Sequence, residues 1–269
     1  KEEAAITRFG SLRRTTDFRV LTMRGPFQDA HVAYFHKSIG GYHGAKLKRY
    51  QELIDFQLNL EMQNVIGAFG QGATPQSIDS VLAKQPVLNM LNTKYIIYAD
   101  DKAPLLNSHA LGSAWFVNEV KEAKDANEEI TLLGTIDPAK TAVVDARYYN
   151  EVANVAKPDP TASVKLIGYR SNDLNYTVRS ANGGVVVFSE IWYGPDWVAE
   201  IDGKPAPYVR ADYVLRAMKV PAGEHTVRFH VVSKPFNIGG RIASVGSFVL
   251  LLLVVLALGF EWKRSRDQA

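Results

Sequence analysis

Apolar positions change their spacing several times along this chain, and each change predicts an element. In DFRVLTM (17–23), Phe18 and Val20 alternate with either Leu21 or Met23, a strand pattern that Gly25-Pro26 stops. From His43 to about Asn64 the period becomes helical. Leu47, Tyr50, Ile54 and Leu58, then either Glu61 or Met62, recur every three or four residues, and Leu53 widens the stripe. Gly40-Gly41 reads as the break before that helix. GAFGQGATPQSIDS (67–80) reads as a Gly-rich loop, with a short helix from Pro75 or Ser77 to Lys84. VLNMLNTKYIIYAD (87–100) holds a helical turn and then a strand, and SAWFVNEVKEA (113–123) reads as another strand. Asp125 to Leu133 resembles a short helix with Glu128 and Glu129 near its start, and KTAVVDA (140–146) reads as a buried strand. Interleaved strands and helices make residues 1–155 a mixed α/β unit.

VAKPDPTAS (155–163) is rich in proline and is taken as the domain boundary. Beyond it, ASVKLIGYR, LNYTVRS, GVVVFSEIWY, DWVAEIDG, YVLRAMKV and HTVRFHVV read as short strands at regular spacing. Asn182-Gly183-Gly184 and Asp202-Gly203 are hairpin signals, and Pro221-Ala222-Gly223 is a turn. Residues 156–235 are therefore expected to form an antiparallel β-sandwich of immunoglobulin-like or jelly-roll type. The fold class is α+β.

The pattern changes again at Ile242–Phe260, where 19 residues carry no charge. At about 1.5 Å per residue this run nearly matches a hydrocarbon layer ~30 Å thick. It has no polar stripe, as a buried core helix would. A transmembrane helix is expected over 241–261, with a tail over 262–269. Lys263, Arg264 and Arg266 follow the span, Arg241 and Lys234 precede it, and Trp262 suits an interfacial anchor. The positive-inside rule then puts residues 1–240 outside the cytoplasm and the C-terminus inside. No signal peptide is in view near Lys1, so earlier transmembrane segments are the expected means of crossing, and the chain is expected to be the tail of a longer multi-span protein.

Composition narrows the chemistry. A net charge of +3 is small for 269 residues and argues against a nucleic-acid surface. The absence of cysteine excludes disulfides, thiolate nucleophiles and cysteine metal sites. The densest candidate stretch is YFHKSIGGYHGAKLKRYQ (34–51). His36 and His43 lie seven apart across a Gly-Gly break, which fits no recognised metal spacing. Ser38 beside His36 has no nucleophile-elbow context. Gly40 and Gly41 before a helix could present backbone N–H groups to an anion, with Lys37, Lys46 and Arg49 adding charge and His36 and His43 completing a rim of candidate phosphate contacts. A loop needing positive φ beside a solvated cationic face is the plainer reading. In SEIWYGPDW (189–197), Trp192, Tyr193 and Trp197 could stack on sugar rings, or serve as sandwich core. Glu190 and Asp196 stand beside these rings, and such a pair suits glycoside hydrolysis only at a separation of ~5–9 Å.

YFHKSIGGYHGAKLKRYQELID, VLNMLNTKYII, GSAWFV, FSEIWYGPDWVAEIDGKPAPYVRADYVLRAMKVPAGEHTVRF and one terminal span follow in an order that resembles the C-terminal part of YfhO-type bacterial membrane proteins. The resemblance covers nearly the whole chain. It implies a large multi-pass protein of the bacterial plasma (inner) membrane, with a fold of the GT-C glycosyltransferase superfamily. Such proteins take sugar from a polyprenyl-phosphate donor at the outer face, and this family is linked to glycosylation of cell-envelope polymers. The partners implied are the bilayer, the lipid-linked donor, an envelope glycan acceptor and the remaining transmembrane part of the same protein. No cofactor is implied. The catalytic carboxylate of GT-C enzymes lies in an early external loop that no position here matches, so the resemblance assigns no catalytic residue. A membrane-anchored module that binds glycan or a partner without chemistry is the alternative.

Overall fold

A computed structural model describes residues 17–70, 72–99, 101–154 and 156–267. Strand β1 (Arg19–Thr22) is followed by α1 (His31–Phe35) and a long helix, α2. α2 is α-helical over Lys48–Leu53, passes through a π turn over Ile54–Leu58 and is α-helical again over Asn59–Gly67. Then come α3 (Pro75–Leu82), α4 (Pro86–Met90), β2 (Thr93–Ile97), β3 (Leu105–Leu106), β4 (Ala114–Val117) and β5 (Glu119–Ala123). α5 (Ala126–Leu133), β6 (Thr141–Asp145) and α6 (Ala146–Val152) follow. The remaining strands are β7 (Ser163–Arg170), β8 (Asp173–Ser180), β9 (Gly184–Phe188), β10 (Trp197–Ile201), β11 (Lys204–Pro205), β12 (Val209–Ala211), β13 (Leu215–Val220) and β14 (Gly223–Val231). The last element is helix α7 (Lys234–Asp267).

Local chemistry sets several of these boundaries. Thr74 and Ser77 form a reciprocal capping box at the start of α3, with Pro75 in the first turn, where its missing N–H costs nothing. Asp125 caps α5 by accepting from the N–H groups of Asn127 and Glu128. The side chain of Asp145, the last residue of β6, caps α6 through Arg147 N–H. Glu61 on α2 reaches across to α4, accepting from Val87 and Leu88 N–H at 2.8 Å each. Pro86 has no N–H to offer, so these are the first free donors of that helix.

The chain divides into two compact units. The first comprises the described residues up to Trp192 together with Ala199–Phe229. Within it, one sheet has the order β11-β10-β14-β8-β7 and another β12-β13-β9-β4. They face each other through aromatic rings. Phe188 of β9 lies 4.9 Å, centroid to centroid, from both Tyr176 of β8 and Phe229 of β14, edge to face in each case. The sheet containing β9 is covered on its other side as well. Val185, Val187, Leu215 and Ala217 belong to the core that also contains Leu21, Leu53, Leu88 and Val144 from the helical layer and the small sheets. Burial on both faces is why β9 reads as the unbroken apolar run GVVVF. Two further small sheets complete this unit: β1-β2-β3, whose first pair is parallel, and the parallel pair β5-β6.

Several sequence expectations are corrected by this topology. Residues 113–123 form two strands in different sheets, because the chain turns at Asn118, where the N–H groups of Asn118 and Glu119 both reach Lys140 O. β4 then pairs antiparallel with β9, so the expected division between residues 155 and 156 is not a packing boundary. Asn182-Gly183-Gly184 is not a hairpin turn. It carries the chain from β8 in one sheet to β9 in the other, and Pro221-Ala222-Gly223 does the same from β13 to β14. Asp202-Gly203 is the expected two-residue hairpin, with both φ angles positive and Ile201 opposite Lys204.

The β12–β13 turn is tied to β6 by Asp212. Its N–H donates to Val143 O and its Oδ1 accepts from Val143 N–H, both at 2.8 Å. Asp212 is fully buried, and burial pushes its carboxyl up to about 7. A raised folded pKa gives stability that is complete below the unfolded value and is lost as pH rises through about 7. Asp212→Asn keeps an acceptor for Val143 and removes the ionisation. At pH 8 this variant is expected to exceed the parent by about 1–3 kcal/mol, and at pH 4 to lose that advantage. Thermal unfolding at both pH values checks it.

The second unit comprises Tyr193–Val198 and the described residues from His230. Within it Val232 N–H donates to Asp196 O at 2.6 Å. Ile238–Arg264 of α7 is one helix long and apolar enough to cross a membrane, and its apolar side chains from Ile242 to Leu258 are exposed. At about 1.5 Å per residue these 27 residues exceed a hydrocarbon layer of ~30 Å. They contain the span expected over 241–261.

Candidate functional site

The stretch after β1 is built differently from its sequence reading. The long helix begins at Lys48, after Leu47 in extended backbone, and not at His43. Gly40 and Gly41 therefore stand in the loop that precedes Lys48 and not at a helix N-terminus. They serve close backbone packing. Gly41 N–H donates to Pro26 O at 2.6 Å, and a Cβ on Gly40 would lie 2.0 Å from that same oxygen. Gly40→Ala is thus expected to destabilise the loop by at least about 1–3 kcal/mol, since the clash is with backbone that cannot rotate away. The check is denaturant unfolding beside Gly44→Ala, where a Cβ meets nothing within 4 Å.

The remaining predicted residues of the stretch go to separate places. His36 ends α1, its N–H bonding Val32 O. Ser38 Oγ donates to Val20 O and accepts from Gly40 N–H, which makes it a loop brace. Exposed His43 accepts from Ala45 N–H through Nδ1. Lys46 lies 5.4 Å from the Phe27 ring centroid. Tyr50 closes the loop onto α2, its hydroxyl donating to Ile39 O at 2.5 Å.

Lys37 enters a half-buried charged group. Its Nζ donates to Glu190 Oε1 at 2.5 Å and lies 4.3 Å from the Tyr169 ring centroid. Arg19 of β1 approaches the other carboxylate oxygen at 3.6 Å. Arg19 is also held by Leu91 O at 2.9 Å, Ser189 Oγ at 2.8 Å and Ser189 O at 2.6 Å. Arg216 of β13 donates to Ile191 O through Nε and Nη2, at 3.3 and 3.1 Å. Burial, with help from Arg19 and Arg216 and against the pull of Glu190, lowers the Lys37 ammonium to about 8. Three cations thus act on one carboxylate in surroundings that screen charge poorly. Lys37 and Glu190 are the more exposed members, with side chains 21% and 13% accessible, so the group has an outward side.

Arg49 belongs to a second, deeper group. It donates to Glu129 Oε2 at 2.9 Å, and Glu129 Oε1 accepts from Tyr213 N–H at 3.1 Å. Arg210 lies 3.8 Å from Glu129 and 3.7 Å from Asp145. Its guanidinium stands 5.4 Å from the Tyr148 ring and 5.5 Å from the Trp192 ring. Trp192 therefore meets an arginine across its ring. Tyr193 and Trp197 fall in the second unit, Tyr193 being 46% exposed. Glu190 belongs to the first unit and Asp196 to the second.

A cleft of about 650 Å³ is lined by Lys84, Asn89, Ser108, His109 and Asp137, among others. Ser108 Oγ and His109 Nε2 both bond the same oxygen of Asp79, at 2.9 and 3.1 Å, which is not a nucleophile–base–acid relay. Among the described residues no three His, Asp or Glu side chains gather as a metal site would require.

Sequence reading missed Arg19, Tyr169 and Arg216 around Lys37, and Glu129 and Arg210 around Arg49. A signal for the arginines was present: Arg19, Arg210 and Arg216 stand inside strands that are otherwise apolar, in DFRVLTM and YVRADYVLRAMKV. A cation buried in a strand needs a partner from elsewhere in the chain. What the geometry defines is an α+β protein with an apolar helix able to span a membrane and a half-buried basic group at Lys37. No family model, curated protein or solved structure matches the chain.

Proposed function

We propose that the chain is the extracytoplasmic C-terminal part of a multi-span membrane protein of glycosyltransferase type, one that uses a polyprenyl-phosphate sugar donor to modify a cell-envelope glycan. The observation that carries this reading is the basic group around Lys37, where three cations act on one carboxylate and Lys37 itself belongs to one of the stretches that resemble YfhO-type proteins. A phosphate-bearing donor at a membrane surface is the kind of ligand such a charge excess suits. Residues 1–240 lie outside the cytoplasm in this reading and the C-terminus inside, in line with Lys263, Arg264 and Arg266 after the span. Catalysis would come from the transmembrane part that precedes Lys1.

The coding sequence upstream of Lys1 tests this reading. Several further apolar spans of about 20 residues, with an acidic residue in the first external loop, are the expected result. A signal peptide directly upstream would instead favour a singly anchored module without chemistry. That second reading draws on the Glu129 group, whose charges are matched internally and leave the deeper core a structural role.

A further inference from the structure

The segment after β1 carries three large aromatic side chains that the first unit leaves uncovered. Tyr34 is 82% exposed, Tyr42 69% and Phe35 38%. Scattered apolar residues on a surface need no explanation, but adjoining ones mark a contact. These adjoin. The rings of Tyr34 and Phe35 meet edge to face at 5.0 Å, and His31 meets Phe35 at 5.3 Å. Gly41 packs on the same helix, since a Cβ there would sit 3.3 Å from Ala33 Cβ, and Tyr42 follows it directly. α1 itself is anchored by buried Val32, within a small core of Phe18, Val20 and Ile97.

A chain of contacts fixes which end of the first unit holds this patch. Lys37, three residues after Tyr34, lies against Tyr169 near the end of β7. Tyr169 stands opposite Leu174, and Arg170 opposite Asp173, at the β7–β8 turn. Asp173 accepts from Arg228 Nε and Nη2 at 3.1 and 2.7 Å. Arg228 belongs to the last strand, β14, and only Val232 and Ser233 separate that strand from α7. The aromatic patch, the β7–β8 turn and the late part of β14 therefore share one end, and the chain runs from that end into its apolar helix.

We infer that Tyr34, Phe35 and Tyr42 form a foot that sits in the lipid headgroup layer of the membrane that α7 spans. The inference rests on the reading of α7 as a membrane span. Tyrosine favours this layer because its apolar ring can bury while its hydroxyl stays wet, and the Phe35 ring beside Tyr34 can bury with it. Lys46 lies close to the patch in sequence, and a cation there favours anionic headgroups. Such a foot would hold Lys37, three residues from Tyr34, close to the level of lipid phosphates.

The chain has no native cysteine, so single labels are clean. Tyr34→Cys, Tyr42→Cys, Asn182→Cys and Leu256→Cys, each in the full chain, would carry a nitrobenzoxadiazole label and be reconstituted in vesicles of phosphatidylglycerol and phosphatidylethanolamine. Asn182 lies exposed at the β8–β9 crossing, the opposite end of β8 from Asp173, and Leu256 lies in the apolar helix. Lipids brominated near the headgroup should quench the labels at 34 and 42, with blue-shifted emission. Lipids brominated near the chain end should quench 256, and neither should affect 182. If 256 is quenched while 34 and 42 behave like 182, the foot is wrong and the span stands. If 256 is not quenched, the span reading fails and the foot with it. A blue shift at 34 and 42 without quenching would mean that protein, a second copy or another segment, covers the patch, which also overturns the inference.

Discussion

Glu129→Ala is expected to cost the first unit about 3–5 kcal/mol. Glu129 is fully buried, accepts from Arg49 and Tyr213 N–H, and faces Arg210. Burial pushes its carboxyl up, while Arg210 and Arg49 pull it down and favour the charged form. Arg210 is itself only 6% accessible at its side chain, and its Nε and Nη2 have no hydrogen-bond partner among the described residues. Its charge is balanced through space by Glu129 and Asp145, and its faces by Tyr148 and Trp192. Removing Glu129 leaves a buried guanidinium with half of that compensation. At about 2–4 °C per kcal/mol for a unit of this size, the midpoint should fall by roughly 6–20 °C. Two controls separate charge from packing. Glu129→Gln keeps an acceptor for Tyr213 N–H and should lose less. Glu129→Met combined with Arg210→Met should recover part of the loss, because the deeply buried guanidinium leaves with its partner and only Arg49, 25% accessible at its side chain, still loses Glu129. Thermal unfolding in detergent micelles reads all three. A midpoint for Glu129→Ala within two or so degrees of the parent would show that the deeper group is not a stabilising network.

The second large effect is expected at Phe188. Its ring is fully buried between Tyr176 and Phe229, and truncation to alanine should cost about 3–5 kcal/mol. Its location makes the result informative about organisation. β9 presents Phe188 to the sandwich interior and its neighbour Val187 to the core shared with α2 and α4. The damage should therefore reach the helical layer, and the variant should melt in one transition at a lower temperature. Native-state hydrogen exchange should report faster opening of Leu53 and Leu88 amides together with those of β8. Two separated transitions, with the helical layer unaffected, would contradict the shared middle sheet.

Much of the fold was legible because local pattern and tertiary role agree. Thr74-Pro75 and Asp125 mark helix starts by capping chemistry, and Asp202-Gly203 marks a hairpin by its positive φ angles. The uncharged run after Arg241 carries the apolar helix. What stayed hidden depends on contacts distant in sequence. Nothing near Asn118 says that the strands on either side of it join different sheets, since that choice is made by Lys140 and β9. Gly183 looks like a hairpin glycine, yet its positive φ serves a crossing between sheets, against the backbone of Val220 and Pro221. The candidate site was legible residue by residue but not as a group. Lys37 and Arg49 stand 12 apart in sequence and look like one cationic face. The fold sends Lys37 to Glu190 and Arg49 to Glu129. Only a partner from a remote strand decides where a buried cation goes.

We propose that the basic group at Lys37 takes part in handling a lipid-phosphate-linked sugar. Its most direct test is sugar transfer from a radiolabelled polyprenyl-phosphate donor, in membranes bearing the whole protein with Lys37→Met. Loss of one charged contact to a phosphate should lower transfer by at least about tenfold. The amount of folded protein should stay unchanged, and Lys37→Arg should recover part of the activity. Transfer equal to the parent in Lys37→Met, at equal protein level, would contradict the claim.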